Sequence, residues 1–116
     1  MERKRLIIDT DVGDDIDDAY AITLCLAMPE VQIEGITTVY RNCRQRAKIV
    51  RALTSAYHRG EIKVYAGEDF PIFEPIKFFP YERKLPDGRP FISQYDATME
   101  EYHYEQQSAV DFIVET

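Results

Sequence analysis

Very little in this 116-residue chain suits a disulfide scaffold, a membrane span or a nucleic-acid partner. Two cysteines, Cys25 and Cys43, are too few for a disulfide framework. Cys25 lies in an apolar helical run and reads as a small core residue, which suits a reducing compartment. No apolar run approaches the roughly 20 residues that cross a bilayer. The charged start, Met1 to Arg5, leads into only three apolar residues before Asp9, without the apolar centre of a signal peptide, so a cytoplasmic protein is expected. Fourteen basic residues face twenty-one acidic ones, for a net charge of -7 and a pI near 4.8. Neither nucleic acid nor an anionic membrane is an expected partner, because both need clustered Lys and Arg. The length is one domain's worth, enough to bury roughly two thirds of the unfolded surface.

What is present in excess is aspartate, and in one place. From Leu6 to Ala19 the chain reads LIIDTDVGDDIDDA, with six carboxylates between Asp9 and Asp18. Carboxylates that converge in a fold repel one another unless they splay into water or share a cation. A β-branched apolar run, then Gly13, then a long apolar segment reads as strand, turn and helix, and open α/β sheets bind ligands at the carboxyl ends of their strands. Asp11 falls at that end. Asp17 and Asp18 open a helix near Ile16, where free N–H groups favour negative charge. Neighbouring helical residues diverge by about 100°, so one of this pair can face a cation while the other faces a substrate. With no His or Cys nearby, the cluster suits Ca²⁺ or Mg²⁺ better than zinc or copper. Asp14 and Asp15 read as solvated turn residues.

Along the chain, Ala19 to Met28 is apolar almost all round and predicts a helix buried between the sheet and a further layer, stopped by Pro29. Val31 to Tyr40 predicts a second strand. Asn42 follows directly, either beside the Asp11 cluster, where its amide would meet a sugar hydroxyl, or as the N-cap of the next helix. That helix, Arg44 to Arg59, sets Ala47, Val50, Leu53 and Tyr57 on one face with mostly basic residues elsewhere; Gly60 reads as its C′ residue and His58 as a structural residue in its last turn. Ile62 to Ala66 predicts a third strand, hence β-α-β-α-β with right-handed crossovers and a parallel sheet. Phe70 to Tyr104 holds five of the six prolines and nine of the fourteen aromatics, with a turn at Pro86-Asp87-Gly88, and predicts a long loop that is a flap, a subunit contact or a poorly ordered insertion. His103 reads as an exposed loop residue. Gln107 to Thr116 returns to helical spacing through Ala109, Val110, Ile113 and Val114. Apolar surface left exposed by truncation would favour a homo-oligomer.

The acidic stretch resembles the N-terminal signature of the inosine-uridine nucleoside hydrolase family, usually D-x-D-P-G-x-D-D-A, in a longer form with GDDIDDA and Val12 for Pro. ITTVYRN, Ile36 to Asn42, resembles the second signature, T-T-V-x-G-N, with Arg41 for Gly. VYAGEDFPI, Val64 to Ile72, resembles the third block. The resemblance implies an α/β fold, a Rossmann-like open parallel sheet with flanking helices, present here as a truncated nucleoside hydrolase fold. It implies hydrolysis of the N-glycosidic bond of a small-molecule ribonucleoside to ribose and free base. Asp11 would bind Ca²⁺ and take a proton from the attacking water, Asp18 would bind Ca²⁺, and Asp17 and Asn42 would hold ribose hydroxyls. In the family further metal ligands and the proton donor for the base come from later sequence, so this chain alone is expected to be catalytically incomplete. Two alternatives compete: a truncated relative that binds metal or a partner and turns over nothing, and a haloacid-dehalogenase-type Mg²⁺ phosphatase with Asp9 as nucleophile.

Overall fold

The computed structural model describes residues 2–73 and 83–116. Three parallel strands, β1 (Lys4–Thr10), β2 (Val31–Thr38) and β3 (Val64–Ala66), lie side by side in the order β1-β2-β3. They alternate with helices α1 (Ile16–Ala27) and α2 (Cys43–Ala56), and α3 (Ala109–Glu115) closes the described chain. The β-α-β-α-β reading therefore holds, with β2 ending two residues early. Tyr40, Arg41 and Asn42 all take positive φ, 71°, 40° and 56°, which no strand tolerates. Between Leu6 and Ile7 the β1–β2 register slips by one residue around Glu34, a bulge that re-aims the upper half of β1.

Alternation along β3 separates the two faces of the sheet. Val64 packs with Ile22, Leu26, Ile36, Ala47 and Val50 in the main core under α1 and α2. Tyr65 faces the other way, stacked on Phe112 of α3 with ring centroids 4.1 Å apart. That stack needs Gly35, since a Cβ there would lie 2.5 Å from the Phe112 ring.

Two expectations give way, on α1 and at the end of α2. Helix α1 is not buried all round: Ile22 and Leu26 are buried and Cys25 is half-buried, but Ile16, Tyr20 and Leu24 are exposed, because one face meets the sheet and α2 while no second layer covers the other among the described residues. In α3 the buried pair is Ala109 and Phe112, and Val110, Ile113 and Val114 are exposed; the ring of Phe112, which fills the space above Gly35, decides which face turns inward. Gly60 is not the C′ residue of α2. His58 is, at φ 57°, with His58 N–H donating to Ser55 O and Arg59 N–H to Thr54 O at 3.1 and 2.7 Å, the paired bonds of a Schellman ending.

The Pro86–Gly88 turn forms as predicted, closed by Gly88 N–H on Leu85 O at 2.9 Å with Gly88 at φ 89°. Residues 74–82 of the expected loop lie outside the described residues. Downstream, Ile92 is 2% exposed and joins the main core, and a short 3-10 helix spans Ala97–Glu101. His103 is exposed, as read from the sequence.

Candidate functional site

The site forms where β1 ends. Val12, 1% exposed, anchors the turn in the core. Gly13 at φ 146° has no room for a side chain: a Cβ would lie 2.5 Å from Ile92 Cγ2 and 2.8 Å from Arg46 Nη1. Thr10 then orients the first turn of α1. Its hydroxyl accepts from Val12 N–H at 3.0 Å and donates to Asp18 Oδ2 at 2.7 Å. Asp11 and Asp18 line one pocket there. Burial, then the hydrogen bond and charge of Asp18, push Asp11 above its ordinary range, while the Thr10 hydroxyl holds Asp18 below it. The pair is thus asymmetric, with a proton favoured on Asp11 and charge on Asp18.

Asp11, Asp14, Asp15, Asp17 and Asp18 line a pocket of about 210 Å³ together with Tyr40. Asp17 is exposed in the first turn of α1 beside Asp18. Asp15 takes the N-cap position of that helix without a capping hydrogen bond from its side chain. Asp14 is more than a solvated turn residue, because its Oδ2 accepts from Arg46 Nη2 at 3.1 Å. Asp9 is turned elsewhere and accepts from Thr37 Oγ1 at 2.7 Å.

Asn42 ends the left-handed run Tyr40–Asn42 and occupies the N-cap position of α2, without a side-chain capping bond. Its Nδ2 donates to Pro90 O at 3.1 Å. Its Oδ1 is buried and has no hydrogen-bond partner among the described residues. Asn42 lines a second, larger cleft of about 770 Å³ with Arg44, Asp69, Arg89 and Glu105, and not the acidic pocket.

Sequence reasoning missed Arg46. It was counted with the basic, solvent-facing residues of α2, yet it is 2% exposed. Its spacing was informative: Cys43, Arg46, Ala47, Val50 and Thr54, all buried, trace one helical stripe. The segment Ile92–Gln94 was also missed. Gln94 N–H and Ser93 Oγ both donate to Gly13 O, at 2.8 and 3.2 Å, so the distant loop folds back onto the acidic turn.

The family model of the inosine-uridine preferring nucleoside hydrolases matches residues 6–116. The chain belongs to that family. It is 54% identical over 85 residues to a probable uridine nucleosidase 2 of Arabidopsis thaliana, covering 72% of this chain and 24% of that protein. A probable uridine nucleosidase 1 of Oryza sativa subsp. japonica is 35% identical over 77 residues, covering 66% of this chain and 22% of its own length. A solved plant nucleoside hydrolase, the PpNRh1 enzyme, superposes with a TM-score of 0.65 at 27% identity, covering 97% of this chain and 35% of that one. The chain thus spans about a quarter of the length of these uridine nucleosidase relatives.

Within the nucleoside hydrolase frame, Arg41 stands at φ 40° where the family signature carries Gly, the residue that adopts this conformation without strain. The phosphatase alternative loses its ground: the family is another one, and Asp9, its nucleophile, is bonded to Thr37. The donor chemistry of the acidic pocket fits a hard divalent cation, since the side chains of its aspartates and Tyr40 offer only oxygen. Among the described residues no group of three or more His, Cys, Asp or Glu side chains is placed to hold a metal ion. No helix among the described residues is long and apolar enough to cross a membrane.

Proposed function

We propose that this chain carries the cation- and ribose-binding part of a Ca²⁺-dependent ribonucleoside hydrolase, which cleaves the N-glycosidic bond to give ribose and free base. The single observation that carries this reading is the convergence of Asp11, Asp17 and Asp18 on one pocket at the junction of β1 and α1, in a chain matched by the nucleoside hydrolase family over residues 6–116. Asp11 and Asp18 would hold Ca²⁺, which when bound neutralises the pair and makes a neighbouring water more acidic. Asp11 would take the proton of the water that attacks C1′, as the C1′–N bond breaks and its electron pair leaves with the base. Asp17, exposed on the pocket wall, would accept from a ribose hydroxyl. The buried Oδ1 of Asn42 has no partner among the described residues, so it would accept from a ligand hydroxyl in the neighbouring cleft, which Asn42 lines in place of the acidic pocket. The names of the relatives make uridine the first nucleoside to test. The exposed apolar side chains Tyr20, Leu24 and Val114 support self-association of the chain.

The test is a Ca²⁺ titration of the chain followed by thermal unfolding, with ribose and uridine added in turn and free base and ribose assayed in the same samples. Ca²⁺ is expected to raise the unfolding midpoint, and ribose or uridine to raise it further. Asp11→Asn is expected to abolish both shifts. A midpoint indifferent to Ca²⁺ and unchanged by Asp11→Asn would overturn the reading.

A further inference from the structure

The guanidinium of Arg46 is buried against two loops at once. Nη1 donates to the backbone carbonyls of Asp11 and Val12 at 2.9 and 3.2 Å. Nε donates to the carbonyls of Tyr40 and Arg41 at 2.6 and 3.1 Å. Nη2 reaches Asp14 at 3.1 Å, and the plane lies 5.9 Å from the centroid of the Tyr40 ring. Every N–H direction of the fork that is accounted for points at one of these two loops. One carries Asp11 and leads into Asp18; the other lines the acidic pocket through Tyr40 and leads into Asn42.

The arrangement is expensive as a mere fastening. A guanidinium taken out of water loses several kcal/mol of solvation, and its one carboxylate partner among the described residues, Asp14, is half-exposed with a side chain 51% accessible. The Tyr40–Asn42 backbone is also held in three successive left-handed conformations, each costing about 1–2 kcal/mol outside glycine. Two of the carbonyls in that run are the ones Arg46 holds. Strain of this kind persists only where the surroundings over-determine it, and here the surroundings are the same side chain that sets the Asp11 backbone.

We propose that Arg46 is a positioning residue for the cation site: by gripping the Asp11 and Val12 carbonyls from inside and the Tyr40–Arg41 carbonyls from beside, it sets the spacing of Asp11 and Asp18. Asp14 serves as the counter-charge of Arg46 and not as a ligand. This inference rests on the cation reading of the Asp11–Asp18 pair.

Calorimetric titration of the chain with CaCl₂ tests it, independently of turnover. Arg46→Met, similar in reach but without donors, is expected to weaken Ca²⁺ binding by about tenfold or more, the usual effect of removing a group that orients a metal ligand. Arg46→Lys keeps the charge but cannot fork between two loops, and an intermediate loss of about fivefold is expected. Phe112→Ala, which loosens the opposite face of the sheet, controls for lost stability and is expected to leave the affinity within about twofold of the parent. Arg46→Met binding Ca²⁺ like the parent would overturn the proposal, as would Phe112→Ala weakening binding as much as Arg46→Met. Should Arg46→Met not fold, parent-like affinity in Arg46→Lys overturns it instead. A parent chain that binds no Ca²⁺ overturns the cation reading itself, and this inference with it, and that failure is visible in the parent titration alone.

Discussion

The hydroxyl of Thr10 donates to Asp18 at 2.7 Å while accepting from Val12 N–H at 3.0 Å, so the last residue of β1 orients the first turn of α1. Both of its commitments are lost in Thr10→Val, which preserves shape. A hydrogen bond to a charged group contributes about 1.5–3 kcal/mol, and water reaching Asp18 returns part of that, so a loss of about 1 kcal/mol at neutral pH is expected. Because the Thr10 hydroxyl holds Asp18 below the ordinary carboxylate range, its stabilisation is present above the unfolded pKa and disappears as pH falls through the folded one. The deficit of Thr10→Val should therefore shrink in acid. Urea unfolding of both chains at neutral pH and at about pH 3 checks this; a deficit that stays constant or grows in acid would count against the Thr10–Asp18 bond.

Gly35 and Phe112 should be thermodynamically coupled. A methyl at Gly35 would sit 2.5 Å from the Phe112 ring, so Gly35→Ala is expected to cost about 2–3 kcal/mol in the parent by overpacking. In a Phe112→Ala background the same change should cost under about 1 kcal/mol. A double-mutant cycle measures the difference, and additive costs would show that α3 does not rest on this strand.

His58→Gly is expected to stabilise the chain by about 0.5–1 kcal/mol. His58 sits exposed at φ 57°, a conformation that costs a residue with a Cβ about 1–2 kcal/mol, of which the extra freedom of an unfolded glycine returns part. A urea midpoint shifted upward at constant slope is the expected record, and a downward shift would refute the Schellman assignment.

The two thiols should differ in reactivity. Cys43 is buried, its Sγ donates to Gly67 O at 2.9 Å, and burial together with Asp69 pushes its pKa up to about 12. Thiolate is the nucleophile, so iodoacetamide at neutral pH should leave Cys43 unmodified in the folded chain while the half-buried Cys25 reacts. Peptide mass mapping before and after denaturation distinguishes them. Equal labelling of both in the native state would contradict the burial of Cys43.

The legible parts of the fold were those with local causes. The acidic turn between an apolar run and an amphipathic one announced a strand end facing a helix start, and Asp11 and Asp18 line one pocket there. The β-branched run Ile36 to Val39 announced β2, and Pro86-Asp87-Gly88 announced its turn. What misled was reading charge as exposure on α2 and apolarity as burial on α1. Arg46 is inside because carbonyls await it, and Tyr20 and Leu24 are outside because nothing among the described residues covers them. Asn42 was placed beside the aspartates by topology alone; its side chain is drawn instead to Pro90, 48 residues further on.

By itself the sequence determined the order of strands and helices, the parallel sense of the sheet and the gathering of carboxylates after β1, because hydrophobic period, turn chemistry and helix ends act within a few residues. Only the tertiary structure decided which aspartate pairs with which group, that Arg46 joins the Asp11–Val12 loop, 35 residues before it in the chain, to the Tyr40–Arg41 loop, and that Ile92 to Gln94 seals the turn around Gly13. Those outcomes depend on backbone carbonyls and close approaches between distant segments, which carry no residue type of their own for a sequence to display.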